Sequence, residues 1–195
     1  MERELKWHAD ARLQDEVAAW AAALCTAETR YDMDARYYDT ADGMLAARKA
    51  GLRIRRENGE SVCCLKCDVH TVGAEHVREE YECPADTIER GLAALPAVGA
   101  PAALCDALAQ SGVQEICRVR FTRRALTLRY QGAVAELALD TGTLSRGATC
   151  APLCEIELEA KSGADEGFRA LCGRLSAAFF LRPEPRSKLA RAMVL

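Results

Sequence analysis

The stretch ERELKW, residues 2–7, alternates strictly: Glu2, Glu4 and Lys6 fall on one side of an extended chain, Leu5 and Trp7 on the other. The same rhythm returns near the other end in CEIELEAKSG, residues 154–163, where Glu155, Glu157 and Glu159 alternate with Ile156 and Leu158. One such segment is ordinarily a sheet with its polar face in water. Two carboxylate-rich segments at opposite ends of a chain raise another option, that the charged faces look at each other.

The segments between them repeat the pattern with both signs of charge. GLRIRRE (51–57) sets Arg53 and Arg55 against Leu52 and Ile54, and CCLKC (63–67) adds Lys66. HVREEYEC (76–83) sets Arg78, Glu80 and Glu82 against Val77 and Tyr81. CRVRFTRR (117–124) sets Arg118, Arg120 and Arg124 against Val119 and Phe121, and AELALD (135–140) sets Glu136 and Asp140 against Leu137 and Leu139. The alternation predicts strands at about 2–9, 36–40, 51–57, 61–68, 76–83, 116–122, 125–130, 133–140 and 153–161. Turns are expected at ENGE (57–60), YQG (130–132) and DTG (140–142), with Asn58-Gly59 closing a hairpin. Helical stripes are expected over 13–25, about 86–95, about 101–111 and about 164–180, and a short terminal helix in RSKLARAMV (186–194) with Ser187 as its N-cap.

The helices need apolar partners, and the strands offer them only on the faces opposite the charges. Covering those faces turns the charges inward, around a closed or nearly closed sheet. The expected architecture is α+β and mainly antiparallel β: an eight-stranded, tunnel-like barrel with a charged interior, flanked by helices, in a single domain over 1–195. Eight strands enclose room for one small ligand. So many charges must be hydrated, paired with each other, or paired with ligand and ions. Same-face residues recur about every 6.6–7 Å along a strand, a pitch at which arginines and lysines can hold successive phosphoryl oxygens. Carboxylates in the same space suit hard divalent cations.

Composition narrows the partners. A net charge of −3 speaks against a nucleic-acid or membrane-surface binder. The charged opening and the lack of a long apolar run predict neither signal peptide nor transmembrane helix, hence a cytoplasmic protein with its ten cysteines reduced. Cys64 and Cys67 have zinc-knuckle spacing, but on a strand they point to opposite faces. His8, His70 and His76 show no ligand spacing. No nucleophile-elbow or phosphate-loop motif is present.

ERELK resembles the E-x-E-x-K opening of the CYTH superfamily, the triphosphate tunnel metalloenzymes. The resemblance continues in order through YYDT (37–40), GLRIRRE, Lys66, REEYE (78–82), AELALDTG (135–142), EIELEAKSG and SKLARA (187–192), and so spans essentially the whole chain. It implies a tunnel that binds tripolyphosphate or an organic triphosphate with Mg²⁺ or Mn²⁺. Metal ligands would come from Glu2, Glu4, Asp140, Glu155, Glu157 and Glu159. Phosphates would be held by Lys6, Arg53, Arg55, Lys66, Arg78, Arg118 or Arg120, with Lys188 and Arg191 as a basic plug. Glu4, Glu157, Lys66 and Arg55 would carry catalysis, and Glu80, Glu82 and Glu136 would lie inside. The pattern is nearest the bacterial inorganic triphosphatase branch, without the helical histidine-rich CHAD domain that many of those proteins add. Class IV adenylate cyclases, which usually carry residues ahead of the first strand, thiamine triphosphatases, and a non-catalytic polyphosphate-binding module are the alternatives.

Overall fold

A computed structural model describes residues 2–72 and 75–195, with side chains described over 3–67 and 79–195. The chain runs β1 (Glu2–His8), α1 (Ala11–Ala21), β2 (Cys25–Asp39), α2 (Met44–Ala47), β3 (Gly51–Glu57), β4 (Glu60–Val72), β5 (Glu75–Pro84) and α3 (Ile88–Ala94). After a single-turn helix at Leu95–Val98 it continues with α4 (Ala102–Ser111), β6 (Gln114–Tyr130), β7 (Ala133–Arg146), β8 (Thr149–Gly163), α5 (Asp165–Ala178), β9 (Arg182–Pro183) and α6 (Lys188–Ala192). All strand pairings are antiparallel, in the order β5-β4-β3-β2-β6-β7-β8-β1-β9. In addition β1 pairs with β5, Glu2 lying opposite Arg78 and Glu4 opposite His76.

Local chemistry sets the boundaries. Asp10 caps α1 by accepting from the Leu13 N–H at 2.8 Å, and Ser187 caps α6 by accepting from Ala190 at 3.0 Å. Asn58 and Gly59, at φ 49° and 99°, make the two-residue turn between β3 and β4. The Asn58 side chain also accepts from the Asp32 N–H at 2.8 Å, tying the hairpin to β2.

Some boundaries differ from the expectations. The strand expected at 36–40 is only the end of β2, whose first half is exposed and polar and is extended because it pairs with β6. The strands expected at 116–122 and 125–130 are one, since Arg123 and Arg124 each find a carboxylate on opposite faces of β6. DTG is not a turn but the middle of β7. Gly142 lies opposite Phe121, where a Cβ would come within 2.0 Å of the Arg120 carbonyl, so this glycine serves close approach.

Three apolar clusters order the layers. α1 and α5 place Val17, Ala18, Phe168, Leu171 and Leu175 against Trp7, Leu126, Leu137, Ile156 and Leu158. α3 and α4 place Ile88, Leu92, Cys105 and Leu108 against Leu52, Ile54, Cys63 and Leu65. The third cluster lies on the opposite side of the sheet: Ala192 of α6, with Leu189, packs against Met33, Ala35, Val119, Phe121, Leu144 and Leu153. The side of the sheet away from the outer helices is therefore charged in some sectors, as expected of the interior, and apolar in others. The apolar sectors belong to β2, β6 and the tips of β7 and β8, where α6 supplies the cover.

No disulfide forms among the described residues; Cys63, Cys64, Cys83, Cys105 and Cys117 are buried thiols, whereas Cys25, Cys67, Cys154 and Cys172 are half-buried and Cys150 is exposed. Burial pushes the Cys63 and Cys117 thiols up to about 12, which keeps them protonated. No helix among the described residues is long and apolar enough to cross a membrane.

Candidate active site

Strand register converts the sequence pattern into rows. Glu4 of β1, Glu159 of β8 and Glu136 of β7 are successive partners across three strands. Two residues further along, Lys6 lies opposite Glu157, and beyond that His8, Glu155 and Asp140 form the next row. Glu4, Glu136, Glu159, Lys6 and Glu157 line a cavity of about 380 Å³. Arg53, Arg55, Lys66, Glu80 and Glu82 line its facing wall, Tyr31, Met33, Ala35, Tyr37 and Phe121 an apolar sector, and Lys188 its end.

The inner end of the bank built from β1, β6, β7, β8 and α6 is deeply buried. The Lys188 ammonium lies 2.8 Å from Asp140 and 2.9 Å from Glu157, also contacts Glu155, and sits 5.0 Å over the Phe121 ring. Arg123 reaches Asp140 with both arms at 2.8 and 2.7 Å, meets Glu157, and lies 3.6 Å from Glu136. Lys6 bridges Glu157 at 3.1 Å and Glu4 at 3.4 Å. Burial alone would raise the Glu157 carboxyl; Lys188, Lys6 and Arg123 outweigh it and hold the pKa well below the usual range. For Lys188 burial favours the neutral amine, but Asp140, Glu157 and Glu155 outweigh it and raise the pKa. Glu155 goes the other way: burial, assisted by Glu157, raises its pKa against the pull of Lys188.

The bank built from β3, β4 and β5 is more open. Glu80 accepts from Lys66 at 3.0 Å, from Arg53 at 3.4 Å and from the Cys64 thiol at 2.9 Å. Glu82 accepts from Arg55 at 3.3 Å, and Arg55 also meets Glu57. Burial would raise the Glu80 pKa, but Lys66 and Arg53 bring it below the ordinary value.

Measured against the sequence reading, Lys6, Arg53, Arg55, Lys66, Lys188, Glu4, Glu80, Glu82, Glu136, Glu157 and Glu159 come together around the cavity. The Glu2 and Arg78 side chains lie outside the described residues. Arg191 does not line the cavity; it stands behind Lys188, held by Glu155 and, at 3.5 Å, by Glu184. Oxygens of Asp140, Glu155 and Glu157 all lie within 4.8 Å of one another, a spacing that could hold a cation, and the Lys188 ammonium stands in that place.

Arg118 and Arg120 are corrections. Both sit on the face of β6 away from the cavity, Arg118 bonded to Asp34 at 2.7 Å and Arg120 largely exposed, 4.0 Å from the same carboxylate. The cation that β6 aims inward is Arg123, on the side of the strand that carries Val119 and Phe121. Charge alternation suggested the wrong face because the apolar half of that side is covered by α6. Asp140 opposite Arg123 in the β6–β7 register was the available signal. Lys161, 2.6 Å from Glu159, and Lys49 also line the cavity and were missed. Within YYDT, Tyr37 lines the cavity while Asp39 is architectural, accepting from the N–H groups of Thr40, Leu45 and Ala46 at the start of α2.

Comparison with known proteins places this arrangement. The CYTH domain model matches residues 1–192. An inorganic triphosphatase from Haemophilus influenzae is 34% identical over 134 residues, which are 65% of this chain and 35% of that protein. The chain thus spans about a third of the length of the curated relative it matches. Among solved structures, HpAC1 from Hippeastrum, an adenylyl cyclase candidate with a dominant triphosphatase activity, is similar with a TM-score of 0.65 at 17% identity, covering 97% of this chain and 94% of that one. The PH1819 protein from Pyrococcus horikoshii OT3 follows at 0.61 and 20% identity, covering 100% and 99%. These structural likenesses concern the fold, and the match over residues 1–192 shows that the chain belongs to the CYTH family.

Proposed function

We propose that this chain is a divalent-metal-dependent triphosphatase that cleaves inorganic tripolyphosphate to diphosphate and phosphate inside a closed, eight-stranded tunnel. The observation that carries the reading is convergence: Lys6, Arg123 and Lys188 from one bank and Arg53, Arg55 and Lys66 from the other face a single cavity. The β1–β5 pairing supports the closed tunnel, because it joins strands from the two ends of the sheet order. The inorganic triphosphatase from Haemophilus influenzae supports the activity.

Arg53, Arg55 and Lys66 are paired with carboxylates that keep contact with the cavity, so they can exchange Glu80 and Glu82 for phosphoryl oxygens without leaving their strands. Lys6 and Arg123 meet the chain from the other side and stabilise charge as the bridging bond breaks. Glu4, Glu136 and Glu159 offer hard oxygen donors on one row of three adjacent strands and would hold Mg²⁺ or Mn²⁺. When bound, such an ion neutralises phosphate oxygens and makes water more acidic. A glutamate outside that metal-holding row accepts the proton of the attacking water. Glu157 serves instead to hold Lys6, Arg123 and Lys188 in place.

The test is phosphate release from tripolyphosphate with and without Mg²⁺ or Mn²⁺, in the parent and in Glu159→Gln. Metal-dependent release that falls about a hundredfold or more in the variant supports the reading. Stabilisation by tripolyphosphate with no release under either metal would replace it with a binding module. A second reading, an organic triphosphate as substrate, is favoured by the apolar sector of Tyr31, Tyr37 and Phe121, which could receive a flat group. A strong preference for ATP or thiamine triphosphate would establish it.

A further inference from the structure

Gln14 is the one polar side chain that α1 buries, next to Val17, Ala18 and Ala21. Asp10 starts the helix directly after β1, and this places Gln14 over the seam between β7 and β8. Its Nε2 donates to the main-chain carbonyl of Asp140 at 3.0 Å and to that of Glu155 at 2.9 Å. Its Oε1 accepts from the Thr141 hydroxyl at 2.9 Å. Both amide hydrogens and the oxygen are therefore used, and the hydroxyl fixes which end faces the carbonyls.

The two carbonyls belong to residues that are partners across β7 and β8. The carboxylates of the same two residues point to the other face, where both hold Lys188. A single amide gripping two carbonyls fixes those peptide planes relative to each other, and the side chains leaving the same Cα atoms inherit that spacing. An apolar residue would satisfy helix packing alone, as the neighbours of Gln14 do.

We propose that Gln14 is a positioning residue, which acts through Asp140 and Glu155 to hold the Lys188 ammonium, and with it α6, at the end of the cavity. The role of Lys188 toward phosphate rests on the proposed function; the hold on α6 does not. The experiment compares Gln14→Met, which keeps length and loses both donors, with Val17→Ala, a cavity-forming change on the same helix. It measures kcat and KM for tripolyphosphate and the hydrogen exchange of the α6 amides.

Gln14→Met is expected to raise KM about tenfold with kcat within about twofold, and to speed α6 exchange about tenfold, while Val17→Ala moves neither. Gln14→Asn, one methylene short of the carbonyls but still polar, is expected to act in the same direction and serves if the Met variant fails to fold. Parent-like KM and α6 exchange in the Gln14 variants, or equal shifts in Val17→Ala, would overturn the proposal. If the parent releases no phosphate the functional reading fails, and the α6 exchange comparison still decides the role of Gln14.

Discussion

The bank formed by β1, β6, β7, β8 and α6 encloses Asp140, Glu155 and Glu157 at its inner end, whereas the bank formed by β3, β4 and β5 leaves its carboxylates within reach of solvent. The Asp140 and Glu155 side chains are 0% exposed, against 20% for Glu80 and 39% for Glu82. The residue types are the same, but the consequences differ. A buried charge has no substitute partner, so the first bank is held as a unit. A half-open pair is screened by water and loses little when it exchanges partners, so the second bank is suited to receive an incoming anion.

Lys188→Met should break this contrast most sharply. It leaves Asp140, Glu155 and Glu157 facing one another with a reduced share of positive charge, and the expected loss of stability is about 3–5 kcal/mol in chemical denaturation. Glu82→Gln, made at the most exposed carboxylate of the open bank, should cost no more than about 1 kcal/mol. Equal losses for the two variants would mean that burial does not separate the banks.

Activity should show the reverse ranking of what each bank tolerates. Arg55→Met removes a guanidinium that a triphosphate would engage, and kcat/KM is expected to fall by about 10²–10³-fold while the unfolding midpoint stays near that of the parent. A large drop in midpoint accompanying the loss would move Arg55 into the structural bank.

How much of this was legible in the sequence follows the same division. Residues whose strand has an outer helix to cover its apolar face could be assigned from alternation alone: Glu4 and Lys6, Arg53 and Arg55, Glu136, Glu157 and Glu159 all face the cavity as the pattern implied. β6 could not be read that way. Its alternation defines two faces, but which one turns inward depends on α6 packing on Val119 and Phe121 from the cavity side, a contact between segments some seventy residues apart in the chain. Arg118 and Arg120 were placed inside for that reason, and Arg123 was overlooked. The first half of β2 carries no local signal, because its extended form is imposed by pairing with β6. The placement of Lys188 among three carboxylates likewise depends on register across β7 and β8, which only tertiary structure sets.

The back of the buried bank offers a test by pH. Glu184 accepts from the Arg186 guanidinium at 2.9 and 3.0 Å and from the Arg186 N–H at 3.0 Å, and lies 3.0 Å from His8 and 3.5 Å from Arg191. Burial would raise its pKa, but Arg186, with His8, outweighs burial and lowers it to about 2 from an ordinary 4.5. Between those values the unfolded chain binds the proton that the folded chain refuses. The contribution of Glu184 to stability is thus complete above pH 4.5 and is lost as the pH falls toward about 2. Glu184→Gln should flatten the acid side of the stability profile over that window. An unchanged slope would assign acid sensitivity to other carboxylates, of which Glu80 and Glu157 act in the same direction and Glu155 in the opposite one.

The smallest effect is the most informative about the strand that alternation misassigned. Arg120 is exposed on the face of β6 away from the cavity, and Asp34 beside it already has Arg118 as a partner at 2.7 Å. Arg120→Ala should therefore change stability by less than about 1 kcal/mol and leave kcat and KM for tripolyphosphate as in the parent. Arg123→Ala, three residues along the same strand, takes a guanidinium from Asp140, Glu136 and Glu157 and should impair both stability and turnover. The pair of variants isolates the facing of β6, because both remove one arginine from one strand and differ chiefly in the side of the sheet it occupies. A loss of phosphate affinity in Arg120→Ala would put its guanidinium on the substrate side and would require β6 to be turned over relative to β2 and β7.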